Sequence, residues 1–85
     1  MVNQTITVLF GLESRPAALF VQNAGKFKSK IWIAVDNKKV NAKSIMGVIS
    51  LGILDNQVVT LSAEGEDEKE AIDELVNFLG EKHSH

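Results

Sequence analysis

Residues 5–25, TITVLFGLESRPAALFVQNAG, change their hydrophobic period half-way along, and that change decides the fold. Ile6, Val8 and Phe10 alternate with Thr5 and Thr7, the period-two signature of a half-buried strand. Gly11 breaks the pattern. Ser14 is the expected helix N-cap, and Pro16 falls in the first turn, where its missing N–H leaves nothing unpaired. Ala17, Phe20, Val21 and Ala24 then recur at i, i+3, i+4 and i+7, one face of a helix that Gly25 can close in the left-handed conformation.

The same grammar extends outward. Ser29–Val35 alternates again, with Ile31, Ile33 and Val35 facing inward and Lys30 and Trp32 outward. DNKK (36–39) makes a turn and VNA (40–42) a short returning strand. Ser44 precedes a short helix over Ile45–Leu51, with Val48, Ile49 and Ile53 expected in the core and Gly52 near its end. Asp55 and Asn56 turn the chain into a fourth strand, Gln57–Ala63. Residues 65–80 form the clearest helix. Acids crowd its positive end, Ala71, Ile72, Leu75, Phe78 and Leu79 make its apolar face, and Gly80 stops it.

The order is βαββαβα. This predicts an α+β fold, an open-faced two-layer β-sandwich with a four-stranded antiparallel sheet and three helices on one face. The other face, with Thr5, Thr7, Lys30 and Trp32, is expected to meet solvent. Residues 1–80 form one domain in this reading, and 81–85 a flexible tail.

Composition removes several classes of function. Without cysteine there are no disulfides or thiolate metal sites, which fits a cytoplasmic location. No apolar run is long enough to span a membrane, and MVNQTITV lacks the basic and apolar regions of a secretory signal. The net charge is −2, so no direct nucleic-acid affinity is expected. His83 and His85 form H-x-H without a third ligand, so no metal is expected there.

Two places carry chemistry. Glu13 and Arg15 flank a helix start. In the simplest reading the acid stabilises the helix and the arginine is solvated; the alternative is a polar site on the exposed N–H groups. No histidine, cysteine or second carboxylate stands in this loop to divide acid and base roles, so the chain is not expected to be an enzyme. Ser44 can be a plain N-cap. Yet Lys43 precedes it, and Ile45 and Met46 cannot both turn inward if Val48 and Ile49 do, which suggests a docking surface. A phosphate on Ser44 would add roughly −1.5 to −2 charges at a positive helix end. Trp32 is either a contact residue or a cross-strand packing partner.

Three stretches together resemble a known family. GLESRPAALFVQNAGKF (11–27), KKVNAKSIMGVISLGI (38–53) and AEGEDEKEAIDEL (63–75) are similar, in order and spacing, to the signatures of the histidine-containing phosphocarrier family HPr. The family's first stretch is G-L-H-A-R-P, whose histidine carries a phosphoryl group for sugar uptake. The resemblance puts Glu13 at that position and Ser14 at the small residue after it. It implies that the histidine relay is absent. Lys43, Ser44, Ile45, Met46 and Gly47 match the motif recognised by the HPr kinase/phosphorylase of Gram-positive bacteria.

A branch of the family in bacilli lacks the histidine, usually carrying Gln there, and keeps the serine. Its phosphoserine form is a corepressor for catabolite control protein A. The resemblance therefore implies a regulatory phosphoprotein of carbon catabolite repression, modified on Ser44, with Arg15, Lys43, Ile45 and Met46 forming the partner surface and no cofactor. Two other readings stay open: an accessory phosphocarrier of the sugar phosphotransferase system, and a Glu13 carboxylate that imitates phosphohistidine. The chain is expected to be a monomer or, with Gly11 as a hinge, a strand-swapped homodimer.

Overall fold

The computed structural model describes residues 1–80; the expected tail, with His83 and His85, lies outside the described residues. The elements run β1 (Val2–Thr7), α1 (Ser14–Gly25), β2 (Lys30–Val35), β3 (Lys38–Asn41), α2 (Ile45–Ser50), β4 (Val58–Glu64) and α3 (Glu68–Leu79). The sheet order is β1-β4-β2-β3, antiparallel at every pairing. Ile6 pairs with Val59, and Ile33 lies between Leu61 and Val40, so the inward residues meet in register. They close against Ala17, Phe20 and Ala24 of α1, Val48 of α2, and Ala71, Ile72, Leu75, Val76 and Leu79 of α3. Phe78 bridges two elements, 5.7 Å edge-on from Phe10 and 6.4 Å from Phe20. On the far face, the hydroxyls of Thr5 and Thr60 lie 3.1 Å apart across β1 and β4.

The structure corrects several expectations. Gly25 stays within α1 and Lys26, at φ −72°, is its C-cap, so no left-handed residue closes that helix. β1 begins at Val2 rather than Thr5 and ends at Thr7, with Val8 continuing only as a single bridge to Gly80. The β2–β3 turn is confined to Asp36 and Asn37, Asp36 taking φ 54°, so the lysines of DNKK belong to β3. The α1 N-cap is Glu13, in extended conformation, and Ser14 takes φ 52° without capping. Finally, Ile49 is exposed at 42%, because a six-residue helix turns only one narrow stripe inward and Val48 fills it.

Asp67 joins α3 to the loop that follows α1. Its carboxylate accepts the hydroxyl and N–H of Ser29 and the N–H of Lys28. Gly65 permits this approach, since a Cβ there would lie 2.7 Å from the Cα of Ser29. The Ser29 hydroxyl, followed by the Lys28 N–H, holds the carboxyl down from 3.8 to about 2. The folded value is below the unfolded one, so this contribution is complete above the unfolded value and disappears as pH falls from about 4 to about 2. Asp67→Asn should therefore be less stable than wild type at pH 7, and the gap should narrow through that window. Thermal unfolding midpoints between pH 7 and pH 2 check this; a gap independent of pH would contradict it.

Candidate functional site

The segment before α1 is held mostly by backbone hydrogen bonds, with one side-chain carboxylate among the acceptors. The Val8 N–H donates to the Gln57 carbonyl at 2.9 Å, and the Asn56 N–H returns to the Val8 carbonyl at 3.0 Å. Leu9 donates to Leu79, 2.9 Å, and Leu12 to Ile53, 3.0 Å. Between them the Gly11 N–H reaches the carboxylate of Asp55 at 2.6 Å. Any side chain at Gly11 would put its Cβ 2.8 Å from the Ile53 carbonyl oxygen. Leu12 is buried beneath the loop.

This clamp delivers Glu13 to the mouth of α1 with φ −131° and ψ 156° and its side chain in solvent, making no capping hydrogen bond. Ser14 follows in the left-handed region, a conformation that costs of order 1–3 kcal/mol for a non-glycine residue. Arg15 is exposed, and among the described residues no ion pair joins it to Glu13. Asp55 and Gln57, whose side chain accepts the Leu54 N–H, were missed in the sequence as positioning residues. The only signal there was the turn at Asp55 and Asn56.

Ser44 is the N-cap of α2, as expected. Its Oγ accepts the Gly47 N–H at 3.1 Å, and its own N–H donates to the Asn41 carbonyl. A Cβ at Gly47 would stand 3.2 Å from that oxygen, so the glycine keeps room beside the hydroxyl. Among the described residues Met46 is the most exposed large hydrophobic side chain, at 74%; Ile45 and Ile49 are exposed beside it on the same short helix.

Lys43 sits differently from its sequence neighbours. Its ammonium donates to the Phe27 carbonyl at 2.7 Å, past the C-terminal end of α1. Arg15 stands at the other end of that helix, about 18 Å away along twelve residues. The structure thus brings Ser44, Ile45 and Met46 together, adds Ile49, and separates Lys43's charge from Arg15. The Glu13 loop meets the same region through Ile53 and Asp55, which follow α2. Among the described residues no acid or histidine cluster could hold a metal, and no helix is long and apolar enough to cross a membrane.

The family model for the PTS HPr component phosphorylation site matches residues 2–81. The chain belongs to the HPr family. Within it, the HPr-like protein Crh of Bacillus subtilis is 50% identical over 84 residues, spanning 96% of this chain and 99% of Crh. Among solved structures, HPr-C-His of Thermoanaerobacter tengcongensis superposes with a TM-score of 0.89 at 59% identity, covering 93% of this chain and 91% of that one. The crystal structure of Bacillus subtilis Crh, a domain-swapped dimer, gives 0.77 at 51% identity and 93% of each chain. The βαββαβα order and four-stranded antiparallel sheet are those of the HPr fold. The histidines of this HPr-family chain are His83 and His85.

Proposed function

We propose that this chain is a regulatory, non-enzymatic member of the Crh branch, modified on Ser44 by HPr kinase/phosphorylase and acting in the cytoplasm as corepressor of catabolite control protein A. The 1–80 domain is the working unit. One observation carries the reading: the Ser44 hydroxyl caps a short helix whose next residues, Ile45 and Met46, are apolar and turned to solvent. The likeness to Crh supports the choice of branch.

In the modification, the γ-phosphoryl of ATP passes to Ser44 Oγ, the hydroxyl proton leaves, and ADP is released. The phosphate then offers charge-assisted bonds to partner cations, and Met46 and Ile45 offer desolvated contact area. Arg15 pairs with partner acids. Lys43 contributes through the placement of the Ser44 segment, its ammonium being held by Phe27.

With kinase and ATP, wild type should gain one phosphate and Ser44→Ala none, read by intact mass and peptide mapping. Phosphate elsewhere, or persisting in Ser44→Ala, would end the assignment. The phosphocarrier reading requires transfer through Glu13, and the mimic reading requires its carboxylate to stand for a phosphoryl group carrying nearly twice the charge. Equal capture of phosphocarrier partners by wild type and Glu13→Gln would exclude mimicry.

A further inference from the structure

The open face of the sheet carries mostly small polar groups: Thr5, Thr7, Thr60 and Ser62. Its β2–β3 corner is different. Trp32, the single tryptophan, is half-buried there, paired with Asn41 on one side and Ser62 on the other. A cavity of about 230 Å³ opens beside it, walled by Lys28, Ser29, Lys30, Trp32, Asn41 and Lys43. Lys39, across from Ala34, places its ammonium 5.0 Å from the indole centroid. Six of the nine cationic residues fall between Lys26 and Lys43, where Asp36 is the one acid. The sequence spreads these lysines over a loop and two strands; the hairpin gathers them.

We propose that this corner binds a small phosphate monoester with an aromatic body, of the mononucleotide type. Three observations support it. The ammonium groups of Lys28 and Lys30 have no ion-pair partner among the described residues, so they are available to a phosphate. The corner is held in shape, because Asp67 fixes the N–H groups of Lys28 and Ser29, and Asn41 Oδ1 accepts the Lys43 N–H. The indole offers a flat apolar wall for a ring, polarised by Lys39. The volume lies below the range of drug-sized pockets and suits a ligand of about one nucleotide, part of which would remain in solvent.

Two acids lie nearby. Asp67 is occupied by three hydrogen bonds, whereas Glu64 stands across from Lys30 in register without an ion pair to it. Glu64 should oppose an anion.

Trp32 makes the test direct, since the chain has no second tryptophan and no tyrosine. Its fluorescence is titrated with AMP, inorganic phosphate, adenosine and a short oligoadenylate, all at one ionic strength. AMP should give a saturable change at lower concentration than phosphate or adenosine. Lys28→Gln with Lys30→Gln should weaken AMP by about fivefold or more, and Glu64→Gln should tighten it. Amide NMR shifts should follow at Lys28, Lys30 and Asn41, with Met46 still, and should show that the variants fold. A response to AMP no different from that to sodium chloride, or undiminished in the lysine variant, would overturn the proposal. Tighter binding of oligoadenylate than of AMP would overturn the small-ligand reading in favour of a strand.

Discussion

Wild type should take no phosphate from enzyme I, and Glu13→His should gain transfer, rising from background toward one phosphate per molecule. An imidazole nitrogen can receive the phosphoryl group from the enzyme's own phosphohistidine, whereas a carboxylate would have to form an acyl phosphate on machinery shaped for imidazole. The substitution should be local. Glu13 is exposed, makes no capping hydrogen bond, and owes its place to the bonds of Leu9, Gly11 and Leu12. Gly11, Leu12, Arg15 and Pro16 remain to present the new ring, and Ser14 already holds the strained backbone that follows it. Incubation with phosphoenolpyruvate and enzyme I, read by intact mass, makes the comparison. A hydroxylamine-sensitive adduct on the wild-type protein would show that Glu13 itself carries phosphate, and the regulatory reading would give way to the phosphocarrier one.

Met46→Ala combined with Ile49→Ala should weaken binding of the Ser44-phosphorylated chain to catabolite control protein A by about tenfold to a hundredfold, with phosphorylation itself little changed. Both side chains are exposed and lie three positions apart on α2, hence on one face. Truncating the two apolar contacts should cost about 1.4–2.8 kcal/mol together, which is that range. The loss should fall mainly on the dissociation rate. Added salt should weaken the phosphate contribution in both proteins while leaving the difference between them. Phosphorylation should act through this surface and not by refolding: amide shifts should stay near α2 and leave α3 unmoved. Equal affinity of the double variant, measured by calorimetry, would remove the apolar patch from the proposed interface.

What was legible in the sequence were the elements whose period is long and whose burial is one-sided. Ile6 in β1, Val8 just beyond it, Ile31 and Ile33 in β2, and Ala71, Ile72, Leu75 and Leu79 of α3 were all placed by periodicity alone and are buried; Phe78, on the same α3 face, is half-buried. The start of β1 was not, because Asn3 and Gln4 are polar residues on an edge strand, where pairing with β4 supplies the order that side-chain burial does not. Ile49 was misplaced because α2 is too short for a period to discriminate.

Of the candidate site, Ser44's cap and the exposure of Ile45 and Met46 followed from local rules. Three features did not: Asp55 bonding Gly11, Lys43 reaching Phe27, and Asp67 closing on Ser29. Each joins residues 16 to 44 positions apart, and one polar side chain in a turn carries no mark of its distant partner. The same blindness applied to the lysines around Trp32, whose concentration is created by the β2–β3 hairpin.

The clamp around Gly11 has a kinetic corollary. An exchange of β1 between two copies would have to break its ladder to β4 and, at nearly the same moment, the bonds that tie Val8, Leu9, Gly11 and Leu12 to the segments around Ile53–Gln57 and to Leu79. Such an opening gives up a whole edge strand and its clamp together, so its barrier is high. Any monomer and strand-exchanged dimer of this chain would then interconvert slowly. Their proportions in a preparation would record the concentration and temperature at which the chains last folded, and dilution on the bench would not reset them within the time of a binding measurement.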